Sequence, residues 1–281
     1  MPQLSATIDV AGVSVPRLVY GTAWKEDETA RLVTEALAAG FRGIDTANQR
    51  KHYHEAAVGE ALAASGLPRE ALFLQTKFTF RPGQDDRLPY DPSAPVATQV
   101  AQSFASSLDH LGVDRLDCYV LHGPSSGVGL GPQDREAWRA MEQIHRDGGA
   151  RLLGVSNVSA AQLEALCELA EVPPAMVQNR CYASRGWDRD VRAVCADRGI
   201  TYQGFSLLTA NGPVWKSRAV ADVAAHHGLT PAQVLLRFAL RLGMVALTGT
   251  TDPAHMREDL ATLGTALSAD EVRAILAAPP R

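Results

Sequence analysis

The chain has 281 residues, 46% of them hydrophobic and 21% charged, with a formal net charge of −4. This is the composition of a globular protein with a full-sized core. Its Lys and Arg residues are scattered and no run reaches the roughly 18 apolar residues of a membrane span, which argues against nucleic-acid and membrane partners.

From the N-terminus, MPQLSATIDV lacks a basic segment followed by a long apolar one, so no secretory leader is expected and the location expected is cytoplasmic. TIDVAGVSVPRL (7–18) alternates apolar residues around a glycine and predicts a hairpin. Thereafter short β-rich runs recur, each followed by a helical period. The strand candidates are 17–22, 41–47, 72–78, 116–123, 151–157, 175–181, 201–207 and 244–250. Helical patterns lie at 27–40, 54–66, 96–112, 134–148, 159–170 and 187–199. Ser159 and the Thr230-Pro231 pair are predicted helix starts; Gly40, Gly66, Gly112 and Gly199 are predicted helix ends.

Eight strand–helix units predict a parallel sheet, and eight is the number that closes a (β/α)₈ TIM barrel of about 250 residues. One α/β domain over 1–281 is therefore expected, with the hairpin plugging the barrel bottom and a short C-terminal tail, AAPPR. A doubly wound open sheet is the competing architecture, weakened because no GxGxxG follows the first strand. The Pro-rich stretch 81–95 is read as an ordered loop on the active face or a flexible lid. Cys118, Cys167, Cys181 and Cys195 lie in apolar runs without CxxC spacing, which reads as reduced core thiols and neither disulfide nor metal chemistry.

A TIM barrel carries its active site at the C-terminal strand ends. Those ends hold polar residues where Val, Ile or Leu is usual: Asp45, Lys77, His122, Ser156 with Asn157, Gln178, Ser206, and Thr248 to Thr251. An unpaired buried polar group costs about 1–3 kcal/mol, so so many intrusions converging on one mouth point to a site.

The pieces GFRGIDTA (40–47), KHYHEAAVGEAL (51–62), FLQTKF (73–78), LDCYVLHGP (116–124), GVSN (154–157), VQN (177–179) and GFSLL (204–208) resemble the aldo-keto reductase family, nearly end to end. The resemblance implies reduction of an aldehyde or ketone to an alcohol. Its cofactor would be a nicotinamide dinucleotide, with NADP preferred and NAD possible. It also implies a catalytic group of Asp45, Tyr53, Lys77 and His122: Tyr53 the proton donor, Lys77 lowering its pKa, Asp45 holding Lys77, and His122 orienting the carbonyl. The family places its tyrosine five residues after the aspartate. Here that position is Arg50, and Tyr53 is reached only by reading NQRKH as an insertion. His52 is the rival at this point, and a loop aromatic packed on the rim is the bland alternative.

The same resemblance puts Gly21, Thr22, Ser156, Asn157, Gln178, Phe205, Ser206 and Leu207 around the nicotinamide, with Phe205 in place of the family's tyrosine and Leu207 in place of its proline. At the adenosine end the family's Lys-Ser pair is Gly249-Thr250 here. A phosphate on the following helix N-terminus is expected, helped by Thr248, Thr250, Thr251, His255 and Arg257, with Glu258 and Asp259 near the adenine. Trp24, Phe80 and Trp187 are the expected apolar substrate contacts, and the short tail predicts an open pocket of loose specificity. For Trp24 the alternative is packing under the hairpin. The partner expected is a small carbonyl compound, and the chain a monomer or weak homo-oligomer.

Three rival functions remain at this point. A regulatory, cofactor-sensing barrel of the same family could keep the grip without turnover. A non-redox isomerase or dehydratase could use the same tyrosine. A metal hydrolase built on Asp45, His52, His54 and His122 lacks an HxH on the first strand and has Lys77 to repel the ion.

Overall fold

The computed structural model describes residues 5–264 and 266–279. The first four residues of the segment read as lacking a leader, and the last two of the C-terminal tail, lie outside this range.

All eight expected runs form strands: β3 (Leu18–Gly21), β4 (Gly43–Asp45), β5 (Phe73–Phe78), β6 (Leu116–Leu121), β7 (Ala150–Ser156), β8 (Met176–Arg180), β9 (Thr201–Phe205) and β10 (Val245–Thr248). They close in the order β10-β3-β4-β5-β6-β7-β8-β9, every neighbouring pair parallel. Ahead of the barrel, β1 (Thr7–Val10) and β2 (Val13–Pro16) make the antiparallel hairpin. Its two turn residues, Ala11 and Gly12, both have positive φ (48° and 79°), the geometry a tight two-residue hairpin requires.

The helices are α1 (Thr29–Ala39), α2 (Glu55–Ser65), α3 (Val96–Leu111), α4 (Pro132–Arg146), α5 (Ala160–Leu169), α6 (Arg189–Arg198), α7 (Gly212–Trp215), α8 (Arg218–His227), α9 (Pro231–Arg241), α10 (Pro253–Leu260) and α11 (Ala269–Leu276). Ser159 caps α5 and Thr230 caps α9, each accepting from the backbone three residues on while Gln162 or Gln233 reaches back. Among the described residues no helix is long and apolar enough to cross a membrane.

Two apolar bodies follow from the strand alternation. Outward side chains such as Tyr20, Ile44, Leu74 and Tyr119 pack under the helices with Trp138 and Phe238. Inward ones at the lower end, including Val19, Phe73, Val120, Leu152 and Val245, meet Val10, Val13 and Val15 of the hairpin. The hairpin thus closes the bottom, each buried valine stabilising by about 1.5–3 kcal/mol. Directly above this floor the interior turns polar: Asp45, Gln75, Lys77, Gln178 and Gln203 are all buried.

The 81–95 loop is packed down. Gln84 Nε2 donates to Asn48 O at 2.9 Å, Gln49 Nε2 to Gly83 O at 2.6 Å, and Tyr90 Oη to Thr79 O at 2.8 Å. It is stapled to the loop that carries Tyr53. All four cysteines are free thiols, three of them buried.

Candidate active site

A cavity of about 590 Å³ opens at the C-terminal end of the barrel. A larger depression of about 740 Å³ lies near α7, α8 and Pro279, but none of the polar strand-end residues reaches it. The barrel cavity is therefore the candidate site. Its wall includes Gly21, Trp24, Asp45, His52, Tyr53, His122, Ser156, Asn157, Gln178, Phe205, Ser206, Leu207, Thr248, Gly249 and Thr250.

Asp45 ends β4 and Lys77 lies on the neighbouring β5, both pointing inward. Lys77 Nζ donates to both carboxylate oxygens, at 2.7 and 2.8 Å, and to Thr46 O at 2.7 Å. Burial alone would push the Lys77 ammonium down. The Asp45 charge, with Tyr53, more than reverses this, and its pKa is raised.

Tyr53 faces this pair, with Lys77 Nζ 5.1 Å from the centre of its ring and the His122 ring centre 5.9 Å away, edge-on. Arg50, at the spacing usual for the tyrosine, lies off this wall and donates from Nη1 to Tyr53 O at 3.2 Å. Tyr53 N–H donates to Gln49 O at 3.0 Å, and Trp24 N–H to His52 O at 2.7 Å. His52 also lines the cavity and packs on Trp24, with ring centres 3.8 Å apart.

The lowering of the Tyr53 pKa expected from Lys77 is present but outweighed. Burial pushes the phenol up, the Lys77 charge pulls it down, the Asp45 charge pushes it up again, and the net direction is upward. The phenol is thus held protonated. His122 moves the other way: burial first, then the Lys77 and His52 charges, depress it to about 3, so its imidazole is neutral. His122 Nδ1 lies 2.7 Å from Thr79 Oγ1. With that hydroxyl as donor, Nε2 carries the ring proton and can donate.

Ser156 Oγ donates to Gln178 O at 2.6 Å, and Asn157 Nδ2 to His122 O at 2.8 Å, so the β7 and β8 ends and His122 form one hydrogen-bonded rim. Trp24, Asn157 and Ser206 hold left-handed backbone, with φ of 62°, 55° and 56°. Such strain costs on the order of 1–3 kcal/mol each and is typical of sites that hold side chains at fixed angles. Phe205 presents an aromatic surface on the wall, with the Arg180 guanidinium 5.4 Å from its ring centre.

Not every expected residue reaches the cavity. Thr22 is fully buried behind the wall and donates to Asp45 O at 3.0 Å. Thr251, His255, Arg257 and Glu258 are off the wall. Asp259 is turned inward, accepting from Thr248 Oγ1 at 2.6 Å, and so serves Thr248 rather than an adenine. The free N-terminus expected on α10 is occupied: the Asp252 carboxylate caps it, accepting from Ala254 N–H at 2.7 Å. Phe80 packs on Phe78 (5.2 Å between ring centres) and Trp187 is buried against Phe238 (4.7 Å), so neither is a pocket contact.

Conversely, Lys25 was not anticipated. It lies mostly buried on the wall, its ammonium hydrogen-bonded to Gly249 O, and burial lowers its pKa. Lys25, from the loop after β3, thus brings an ammonium group to the loop after β10. Its signal in the sequence was a lone cation directly after Trp24, in the loop that follows β3. Gln75 and Gln203, buried beneath the wall, were also unmarked.

Comparison with known proteins places the chain in a family. The family model described as "Aldo/keto reductase family" matches residues 17–278. An aldo-keto reductase of Mycobacterium tuberculosis (strain ATCC 25618 / H37Rv) is 34% identical over 269 residues, covering 96% of this chain and 86% of its own length. One of Mycobacterium leprae (strain TN) is 36% identical over 244 residues, covering 86% and 80%. The crystal structure of an aldo/keto reductase from Brucella melitensis superposes with a TM-score of 0.82 at 28% identity, over 96% of this chain and 98% of that one. A Bombyx mori aldo-keto reductase crystallised in complex with NADP gives a TM-score of 0.82 at 24% identity, over 98% and 92%, a likeness of fold.

Proposed function

The chain belongs to the aldo-keto reductase family, and from that premise we propose that it reduces a small aldehyde or ketone to an alcohol with a nicotinamide dinucleotide. The observation that carries this reading is the buried Asp45–Lys77 pair facing Tyr53 and a neutral His122 at one end of a lined cavity.

The residues present fit the cofactor. The aromatic Phe205, the Gln178 amide, and Ser156 and Asn157 offer a flat apolar surface beside amide and hydroxyl groups, which suits a ring bearing a carboxamide. Lys25 stands where anionic phosphates need a cation, beside Gly249 and Thr250. We assign NADPH ahead of NADH on Lys25, helped by His255 in the first turn of α10. When bound, the reduced ring supplies the hydride.

The chain's own residues handle the proton and the geometry. His122 Nε2–H donates to the carbonyl oxygen and orients it; being neutral, it does so without competing for the proton. Tyr53 Oη is the acid and delivers its proton to that oxygen as negative charge builds there. The Lys77 ammonium stabilises the phenolate left behind, and Asp45 fixes Lys77 where this charge is felt. Trp24 and His52 form the outer wall against which the organic part of the substrate packs.

The test is oxidation of NADPH and of NADH, followed by absorbance, against a panel of aldehydes and ketones. Aldehyde-dependent oxidation is expected, with the larger kcat/KM for NADPH. No oxidation with any carbonyl, despite cofactor binding, would favour a cofactor-sensing role instead.

A further inference from the structure

At the cavity floor, two glutamine side chains, Gln75 and Gln178, meet the Asp45 carboxylate, and a third, Gln203, joins them to each other. Gln75 Nε2 donates to Asp45 Oδ1 at 2.6 Å and to Gln203 Oε1 at 3.0 Å. Gln203 Nε2 returns a bond to Gln75 Oε1 at 2.9 Å, so the two amides form a closed, doubly hydrogen-bonded pair. Gln178 Nε2 donates to Asp45 Oδ1 at 2.9 Å and to Gln203 Oε1 at 3.1 Å. Gln75 and Gln203 are at most 1% exposed. In this layer water offers no substitute partner, and an amide facing the wrong way would set acceptor against acceptor.

The direction of every amide in this layer follows from one charge. An Asp45 carboxylate paired with Lys77 can only accept, so the Gln75 atom facing it must be nitrogen. That nitrogen also reaches Gln203, whose facing atom must then be oxygen. Gln178 looks down on two acceptors, Asp45 Oδ1 and Gln203 Oε1, and must present its nitrogen to both. Its oxygen is left over, and among the described residues no protein donor reaches it. Gln178 lines the cavity.

We propose that Gln203 and Gln75 are positioning residues that pin the Gln178 amide with its oxygen toward the cavity, so that the site selects a ring carrying a primary carboxamide N–H donor. The inference rests on the nicotinamide reading above. It adds that two residues touching neither ligand nor cavity set the recognition of that ring. Gln203 is the informative position: it lines no part of the cavity and makes no hydrogen bond to Asp45 or Lys77.

The experiment measures dissociation constants by calorimetry for NADP and NAD, and for the 3-acetylpyridine analogue of each, in which a methyl replaces the carboxamide nitrogen. Wild type is expected to bind the carboxamide form about tenfold more tightly than its analogue, the size of one well-placed hydrogen bond. In Gln203→Leu the ratio is expected to fall to about threefold or less, because Gln178 keeps a single anchor on Asp45, while both ligands still bind through their adenosine ends. Gln203→Met repeats the test with a different apolar replacement should the leucine variant fail to fold. An undiminished ratio in a folded variant overturns the proposal, and so does a wild type that binds the two forms equally. A wild type that binds none of the four dinucleotides overturns the nicotinamide reading itself.

Discussion

The Lys77 ammonium grips both oxygens of the Asp45 carboxylate, at 2.7 and 2.8 Å, with Lys77 fully removed from solvent. Two charges so deep in a barrel lose hydration worth several kcal/mol per ion, and the pair is not a route to stability. It is held in place by the polar layer around it and faces the Tyr53 ring.

Lys77→Met should therefore be punished twice. The Asp45 carboxylate is left buried without its cation, and the expected destabilisation is about 3–5 kcal/mol by urea denaturation. The double variant Asp45→Asn/Lys77→Met removes both charges and should recover part of that loss while remaining inactive. A double variant no more stable than Lys77→Met would show that the loss came from packing.

The depressed His122 pKa sets a pH expectation. Its folded value, about 3, lies below the ordinary 6.5, so the neutral form is favoured and remains the working species throughout pH 5–8. The rate of carbonyl reduction should show no acidic limb from this residue in that window. A limb near 6.5 that disappears in His122→Gln would contradict the assignment.

Asp259 gives the opposite sign. Burial raises its carboxyl to about 6 from 3.8, with the Thr248 hydrogen bond opposing. A carboxyl whose folded pKa is raised contributes stability that is full below about pH 4 and is lost as pH rises through about 6. Asp259→Asn keeps an acceptor for Thr248 without the charge. It should leave stability unchanged near pH 4 and add about 3 kcal/mol above pH 7 in denaturant titrations. A variant destabilised at both pH values would contradict this.

Trp24 is 68% exposed at the rim and stacks on His52. Trp24→Ala is expected to change stability by less than about 0.5 kcal/mol. Its effect should fall on KM for bulky aldehydes, with small aliphatic ones little affected. Equal effects on both classes would remove Trp24 from the substrate wall.

The barrel was legible because its strands are short β-rich runs between helical periods, and polar residues at strand ends stand out against Val and Leu. Asp45, Lys77, His122 and Gln178 were visible for that reason. Gln75 and Gln203 were not, because a glutamine inside a strand takes its meaning from a partner 128 residues away across the barrel. Trp187 misled because its place after a strand end suggested the rim. Its left-handed backbone (φ 59°) instead turns the indole under Phe238. A phosphate was expected at the start of α10, where a carboxylate two residues before Ala254 is the cap.

The proton donor is the centre of the account, and Tyr53→Phe tests it most directly. The variant loses one oxygen from a half-buried ring, so cofactor affinity by calorimetry should change by less than about twofold. Reduction of the best aldehyde under single-turnover conditions should fall by about 10²–10⁴-fold, the range of a lost general acid. Turnover within a few-fold of wild type, with the cofactor bound, would contradict the account and pass the role to His52.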